Sequence, residues 1–464
     1  MSERVATIGP AAGPAVAAAP PRLERRGRWI SGWDPENTAQ WAAAGRRIAT
    51  RNLAVSILAE HIGFSVWTLW SVMVLFMTPD YGLSPAQKFL LVSVATAVGA
   101  LMRLPYTYAV ARFGGRNWTI ASAALLLVPT VLGALVMEPG TSFTTFLVVA
   151  AVTGLGGGNF ASSMANINSL YPERMKGWAL GLNAGGGNLG VPVVQLVGLL
   201  VIATTGLTSP RLVLGVYIPL IVVAAVAAAL LMDNLDGVRN DTGALREVVR
   251  DGHTWAMSFL YIGTFGSFIG FGFAFGLVLQ TQFGRTPLEA AYVTFLGPLL
   301  GSLVRPVGGA LADRFGGARV TLWTFVALAV GAGVLLAATR AESLAVFTTG
   351  FVLVFVLTGI GNGSTYKMIP AIFRAKAAID IAAGVPMAAA AARARRLSGA
   401  LIGLAGAIGA MGGLAVNLTF RAAYGTESGS GAPAFAAFLG FYVLCAITTA
   451  AVYLRRRPGA LTGI

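Results

Sequence analysis

Charge, sulfur and imidazole are all scarce in this chain. Only 11% of its 464 residues are charged while 56% are hydrophobic, a balance that excludes an ordinary soluble globular domain. Cysteine occurs once, as Cys445, which rules out disulfides within the chain and a cysteine-rich metal centre. No glycine-lysine-serine/threonine phosphate loop is present, so ATP is not expected as an energy source. Nor is there a metal-ligand cluster, a nucleophile motif or a cofactor loop. No cofactor is expected, and an enzyme is disfavoured.

What is abundant is long apolar sequence. Apolar runs of about 20 residues with few charges can cross a bilayer core, and twelve such runs lie near 53–78, 86–110, 118–137, 143–170, 177–203, 212–232, 255–280, 289–311, 319–339, 343–369, 398–417 and 433–454. The expected fold class is an all-α polytopic membrane protein with a lipid bilayer as its main partner. The net charge of +15 is then a statement about orientation. Arginine and lysine crowd the N-terminus and every second loop, so both termini are expected in the cytoplasm. Contact with anionic lipid headgroups accounts for the basic residues without nucleic acid. Residues 1–30, rich in Ala and Pro, read as a disordered tail. Asp34 and Pro35 read as the cap and first position of an interfacial helix within 31–52.

The chain also repeats itself. GALMRLPYTYAVARFGGRN (99–117) aligns with GSLVRPVGGALADRFGGAR (301–319), and TGLGGG (153–158) with TGIGNG (358–363). Two six-span halves, 53–232 and 255–454, joined by a polar linker (233–254) and followed by a short tail (455–464), resemble the major facilitator superfamily. The string from Gly309 through Asp313 and Arg314 to Arg319 is similar to that superfamily's signature turn, so Asp313 and Arg314 are gate candidates. The first half keeps Arg112-Phe-Gly-Gly without the acid.

Arg103 and Arg305 occupy equivalent places near the middle of their spans. A cation there costs at least about 2.5–3.5 kcal/mol, so it is usually functional. Two guanidiniums facing one cavity predict a small planar anion, which their forks can grip bidentately. Counted as uncompensated, they also make the empty carrier costly to close, which favours exchange over free uniport. Around them, Gly154/Gly158 and Gly177/Gly181/Gly185 repeat at intervals suited to close helix approach. Amides such as Asn159, Asn166 and Asn183 need polar partners inside hydrocarbon.

GLGGGNFASSMANINSLYP with KGWALGLNAGGGNLGVPVVQ (154–195) resembles the signature of the nitrate/nitrite porter family, and TGIGNGSTYKMIPAIF (358–373), holding Gly359 and Gly363, resembles its second-half counterpart. FGSFIGFGFAF (265–275) and the entry WDPENTAQW are similar to that family too. The resemblance implies nitrate and nitrite as substrates and a clamp of Arg103 and Arg305. It further implies polar contacts from Asn183 and Tyr261 and aromatic walls from Phe64 and Phe265. A monomer is expected. Leu155 stands where several members carry a third aromatic. Glu60 and His61 in the first span are candidate proton-coupling residues, which leaves nitrate/proton symport open beside nitrate/nitrite antiport. Lys367 sits where it can snorkel. A nitrate sensor is disfavoured because no soluble domain is appended and the longest internal polar connection is only 374–397. A multidrug exporter would need a wider, less cationic cavity.

Overall fold

The computed structural model describes residues 23–238, 241–455, 461 and 464. Among the described residues, twelve helices are long and apolar enough to cross a membrane: Thr38–Phe76, Pro85–Phe113, Gly115–Val136, Phe143–Leu170, Glu173–Thr205, Pro210–Leu231, Gly252–Phe283, Pro287–Phe315, Gly317–Arg340, Leu344–Ala382, Met387–Tyr424 and Ala432–Leu454. They match the twelve apolar runs in order and are numbered here as the first to twelfth spans. Helix starts follow local chemistry that repeats between the halves. Ser84 with Gln87 and Thr286 with Glu289 both form complete capping boxes ahead of a proline, satisfying backbone donors that would otherwise be left over. The second and eighth spans both stop at a glycine with positive φ, Gly114 at 89° and Gly316 at 90°, a conformation that a side chain would strain.

Several boundaries differ from the sequence reading. Within the tail, residues 1–22 lie outside the described residues, but Glu24–Arg26 (β1) and Trp29–Ser31 (β2) form a hairpin. A third strand from the linker, Asn234–Leu235 (β3), runs parallel to β2. Buried Asp233 anchors this clasp, pairing with Arg51 and lying 3.6 Å from Arg25 and 3.7 Å from Arg28. The arginine-rich entry thus solvates one buried carboxylate rather than forming a free basic tail.

The expected interfacial helix is not a separate element. Asn37, not Asp34, caps the helix, accepting from Gln40 N at 2.9 Å. The Asp34 carboxylate instead accepts from Glu36 N at 3.0 Å in a tight turn. From Thr38 the helix runs straight into the first span. The linker carries β3 and a short helix, Thr242–Val249. The polar connection at 374–397 is largely helical too, because the tenth and eleventh spans are 39 and 38 residues long. At about 1.5 Å per residue these helices outreach a bilayer core of about 30 Å. Their charged extensions are held by the linker, through Arg393 with Glu247, Arg396 with Asp241 at 3.4 Å, and Lys376 with Asp251.

The halves touch at the end away from the clasp. There Phe89 stacks on Tyr424 at 5.3 Å, and Gln195 donates to the Gly272 carbonyl at 2.8 Å. At the clasp end a polar bridge between halves, Arg395 to Glu173, is long at 3.9 Å.

Candidate functional site

Arg103 comes from the second span and Arg305 from the eighth, each just before a proline inside its helix, Pro105 and Pro306. Proline removes one backbone hydrogen bond and bends the helix locally. Each arginine thus sits beside a proline in an otherwise continuous helix. Arg103 is 2% exposed. Its guanidinium lies 4.6 Å from the Phe160 ring, 5.0 Å from Phe265 and 5.5 Å from Trp67, and donates to the Gly406 carbonyl of the other half at 3.2 Å. Nε and Nη2 have no protein partner. Such a sleeve strips water from the cation while leaving its donors available.

Arg305 has a different setting. It donates to the Tyr261 hydroxyl at 3.1 Å and lies 5.5 Å from the Tyr366 ring, with Nη1 unpaired. Tyr261 stacks on Phe265 at 5.2 Å and 11°, so Phe265 touches both arginine environments. Arg103 and Arg305 act on each other electrostatically. The fold therefore brings the two repeat-related arginines into one electrostatic neighbourhood.

Other expected residues fall differently. Phe64 is fully buried but packs on Trp67 and Phe160 at 5.5 and 5.8 Å, backing the wall rather than facing either arginine. Phe160, on the same span as Leu155, supplies an aromatic ring 4.6 Å from the Arg103 guanidinium. The Asn183 amide nitrogen is engaged within the protein. Its Nδ2 donates to Glu60 at 2.5 Å and to Ser163 at 2.7 Å, and its Oδ1 is unpaired.

Glu60 is the largest revision. Its carboxylate is 0% exposed, and both Arg103 and Arg305 act on it electrostatically. It lies in the same buried charge cluster as the two guanidiniums. His61 turns away, its Nδ1 donating to the Gly186 carbonyl at 3.0 Å, so the two side chains form no pair with each other.

The signature glycines divide into two kinds. A Cβ at Gly154 would fall 2.5 Å from Val98, one at Gly157 2.6 Å from the Gly99 Cα, and one at Gly158 2.6 Å from Tyr106. A Cβ at Gly359 or Gly363 would meet the carbonyl of Gly301 or Arg305 in the same way, at 2.1 and 2.2 Å. By contrast, Gly177, Gly181 and Gly185 meet nothing within 4 Å. Close packing holds for the fourth and tenth spans and fails for that face of the fifth. Asn166 packs against Gly115, while both amide atoms of buried Asn159 lack partners. Asp313 bonds Lys367 at 2.7 and 3.0 Å, and Arg314 lies 5.1 Å from Phe315. The gate candidate thus ties the eighth span to the tenth within one half.

Sequence reasoning missed Phe160, Trp67, Ser163, Tyr366 and the Gly406 carbonyl. Phe160, Ser163 and Tyr366 lie inside the two quoted signatures, where their membership was a usable signal. A backbone carbonyl from the opposite half had none.

The family model for the Major Facilitator Superfamily matches residues 57–379. The chain is 37% identical to "Nitrate/nitrite transporter NarU" of Escherichia coli (strain K12), covering 94% of this chain and 98% of that relative. It is 32% identical to "Probable nitrate/nitrite antiporter NarK2" of Thermus thermophilus, over 75% of this chain and 84% of that protein. Among solved structures, a D-xylose-proton symporter superposes with a TM-score of 0.65 at 16% identity, covering 87% of this chain and 97% of the other. At that identity the likeness speaks for the fold alone. This chain belongs to the nitrate/nitrite porter family of the major facilitator superfamily.

Proposed function

We propose that this protein is a multi-pass secondary transporter that carries nitrate and nitrite by alternating access, chiefly exchanging one for the other, with both termini on the cytoplasmic side. One observation carries the reading: two guanidiniums from opposite halves, walled by aromatic rings, each keep unpaired donors at the centre of the helical bundle. A small planar anion satisfies those donors, and the rings exclude the water that would compete for it. The names of the relatives agree with that chemistry. Exchange follows if the clamp reorients readily only when an anion fills it. The orientation rests on the basic bias of the clasp end.

The test is nitrate uptake into proteoliposomes loaded with nitrite or with an inert anion. Strong acceleration by internal nitrite is expected. Equal rates with either internal anion would remove exchange as the chief mode, and absence of nitrate flux would remove the reading altogether.

A further inference from the structure

We propose that Glu60 is a tethered counter-anion of the substrate site, taking up one proton as the transported anion enters and releasing it as the anion leaves. This rests on the reading of the site as one for nitrate and nitrite. It adds a second mode, in which the empty carrier returns and net entry is linked to protons.

The geometry begins with competition. Glu60 and an anion in the clamp are both attracted by Arg103 and Arg305, which already act on the carboxylate. A like charge nearby disfavours ionisation, so an arriving anion raises the carboxylate's demand for a proton. The groups facing Glu60 leave few other ways to relieve that repulsion. Arg103 comes from the second span, Arg305 from the eighth and Tyr366 from the tenth. Asn183 and Ser163 are neutral, and His61 is turned to Gly186. Besides Asn183, the fifth span presents backbone there, since a Cβ at Gly187 would fall 2.1 Å from Glu60 Oε1.

The charge balance closes. Empty, the site holds two guanidiniums and one carboxylate, leaving one net positive charge. Loaded, it holds two guanidiniums, a neutral acid and one monovalent anion, again leaving one. A carrier with the same charge in both states has no electrostatic reason to reorient only when full, which removes the argument for obligate exchange.

The hydrogen bonds supply a switch. Ionised Glu60 accepts only, and it holds the Asn183 amide nitrogen at 2.5 Å. Protonated, it gains a donor, and the nearby Asn183 Oδ1 has no partner. A half-turn of the amide would satisfy that new O–H and turn the N–H groups toward the clamp. Asn183 then becomes a donor to the anion only after the proton has bound. Asn159 lies one turn from Ser163 on the fourth span, against Gly63, with both amide atoms unpaired. It extends this buried polar seam along the first span.

Proton uptake on nitrate binding tests this with the unmodified protein in detergent, by calorimetry in buffers of different ionisation heat. About one proton per nitrate is expected, with apparent nitrate affinity falling about tenfold per pH unit above the titration of Glu60. Glu60→Gln should bind nitrate with no proton uptake and a flat pH profile, while Glu60→Asp should keep the slope. No proton uptake by the unmodified protein, or a slope retained in Glu60→Gln, overturns the proposal while leaving nitrate transport standing. No nitrate binding to the unmodified protein would instead remove the functional reading beneath it.

Discussion

Arg103 and Arg305 occupy equivalent places in a repeated sequence, yet their surroundings differ in kind. The first is 2% exposed, wrapped by Phe160, Phe265 and Trp67, and tied to a carbonyl of the other half. The second is partly exposed and leans on two phenols, Tyr261 and Tyr366. Glu60, the acid on which both guanidiniums act, sits in the first half. Its counterpart in the repeat falls near Ile262, where the seventh span makes a π-turn. Duplication therefore delivered two cations, and later divergence gave one a dry aromatic sleeve and an acid neighbour, the other a wetter phenolic setting. A symmetric clamp would bind a symmetric ligand without directing anything. This asymmetry predicts different work for the two sides of the site.

The sharpest break of the comparison is Arg103→Lys against Arg305→Lys. Lysine keeps the charge but loses the planar fork, and each charge-assisted bond forfeited is worth about 1.5–3 kcal/mol. From the Arg103 position a single ammonium cannot hold the Gly406 carbonyl, lie over Phe160 and grip an anion together. We expect nitrate flux to fall by about 100-fold or more for Arg103→Lys, at about tenfold per 1.4 kcal/mol. Arg305→Lys, with Tyr261 still beside it, should lose about tenfold. Equal losses in proteoliposome uptake would show that the two settings are equivalent, and undiminished flux in either would sink the clamp.

Sequence showed the arginines because charge in an apolar span is conspicuous and the repeat doubled the signal. It showed the twelve spans and the second-half signature turn for the same reason, since each is a local pattern. What it could not show was direction. Periodicity did not reveal that Glu60 turns inward while its neighbour His61 turns to Gly186, nor that Asn183 spends its donors on Glu60. It marked Phe64 and Phe265 equally, although only Phe265 touches a guanidinium. The clasp was hidden as well. β2 and β3 are brought together from opposite ends of the first half, and strands this short carry almost no pattern of their own.

Smaller changes probe the walls. Phe160→Leu preserves bulk but removes a ring 4.6 Å from Arg103, and an interaction of about 0.5–2 kcal/mol goes with it. Nitrate affinity should weaken by about 3- to 30-fold, read as a raised KM in uptake assays. Tyr366→Phe keeps its ring over Arg305 and removes a hydroxyl that bonds to nothing. Its effect should stay within about threefold, as expected where no net hydrogen bond is lost. A larger effect would identify the Tyr366 hydroxyl as a substrate contact and give the phenolic side as large a share in holding the anion as the aromatic one.

The two kinds of glycine offer a comparison of packing with motion. Gly157→Ala forces a methyl against the Gly99 backbone. Overpacking of that sort costs about 1–3 kcal/mol, so a lowered melting temperature in detergent is expected. Gly181→Ala meets open space and replaces glycine with a better helix former, so the melting temperature should hold or rise. If that open face is one the other half closes against during transport, turnover should fall although the fold is unharmed. A Gly181→Ala protein with normal turnover would mean that the face stays open throughout the cycle.

The smallest effect is expected at the gate turn. Asp313 and Lys367 are roughly half exposed, at 62% and 49% of their side-chain surface, and both belong to the second half. Exposed pairs of this kind contribute about 0–1 kcal/mol and weaken with salt. A double-mutant cycle of Asp313→Asn and Lys367→Met, read by thermal unfolding, should therefore give a coupling below about 1 kcal/mol that shrinks further at high salt. The same cycle read by transport separates two roles. As a strut between the eighth and tenth spans, the pair would leave the balance between inward-open and outward-open forms unchanged. A coupling seen in turnover but absent from stability would show instead that Asp313 exchanges Lys367 for a partner across the halves, and the second half would then hold the gate while the first holds the acid.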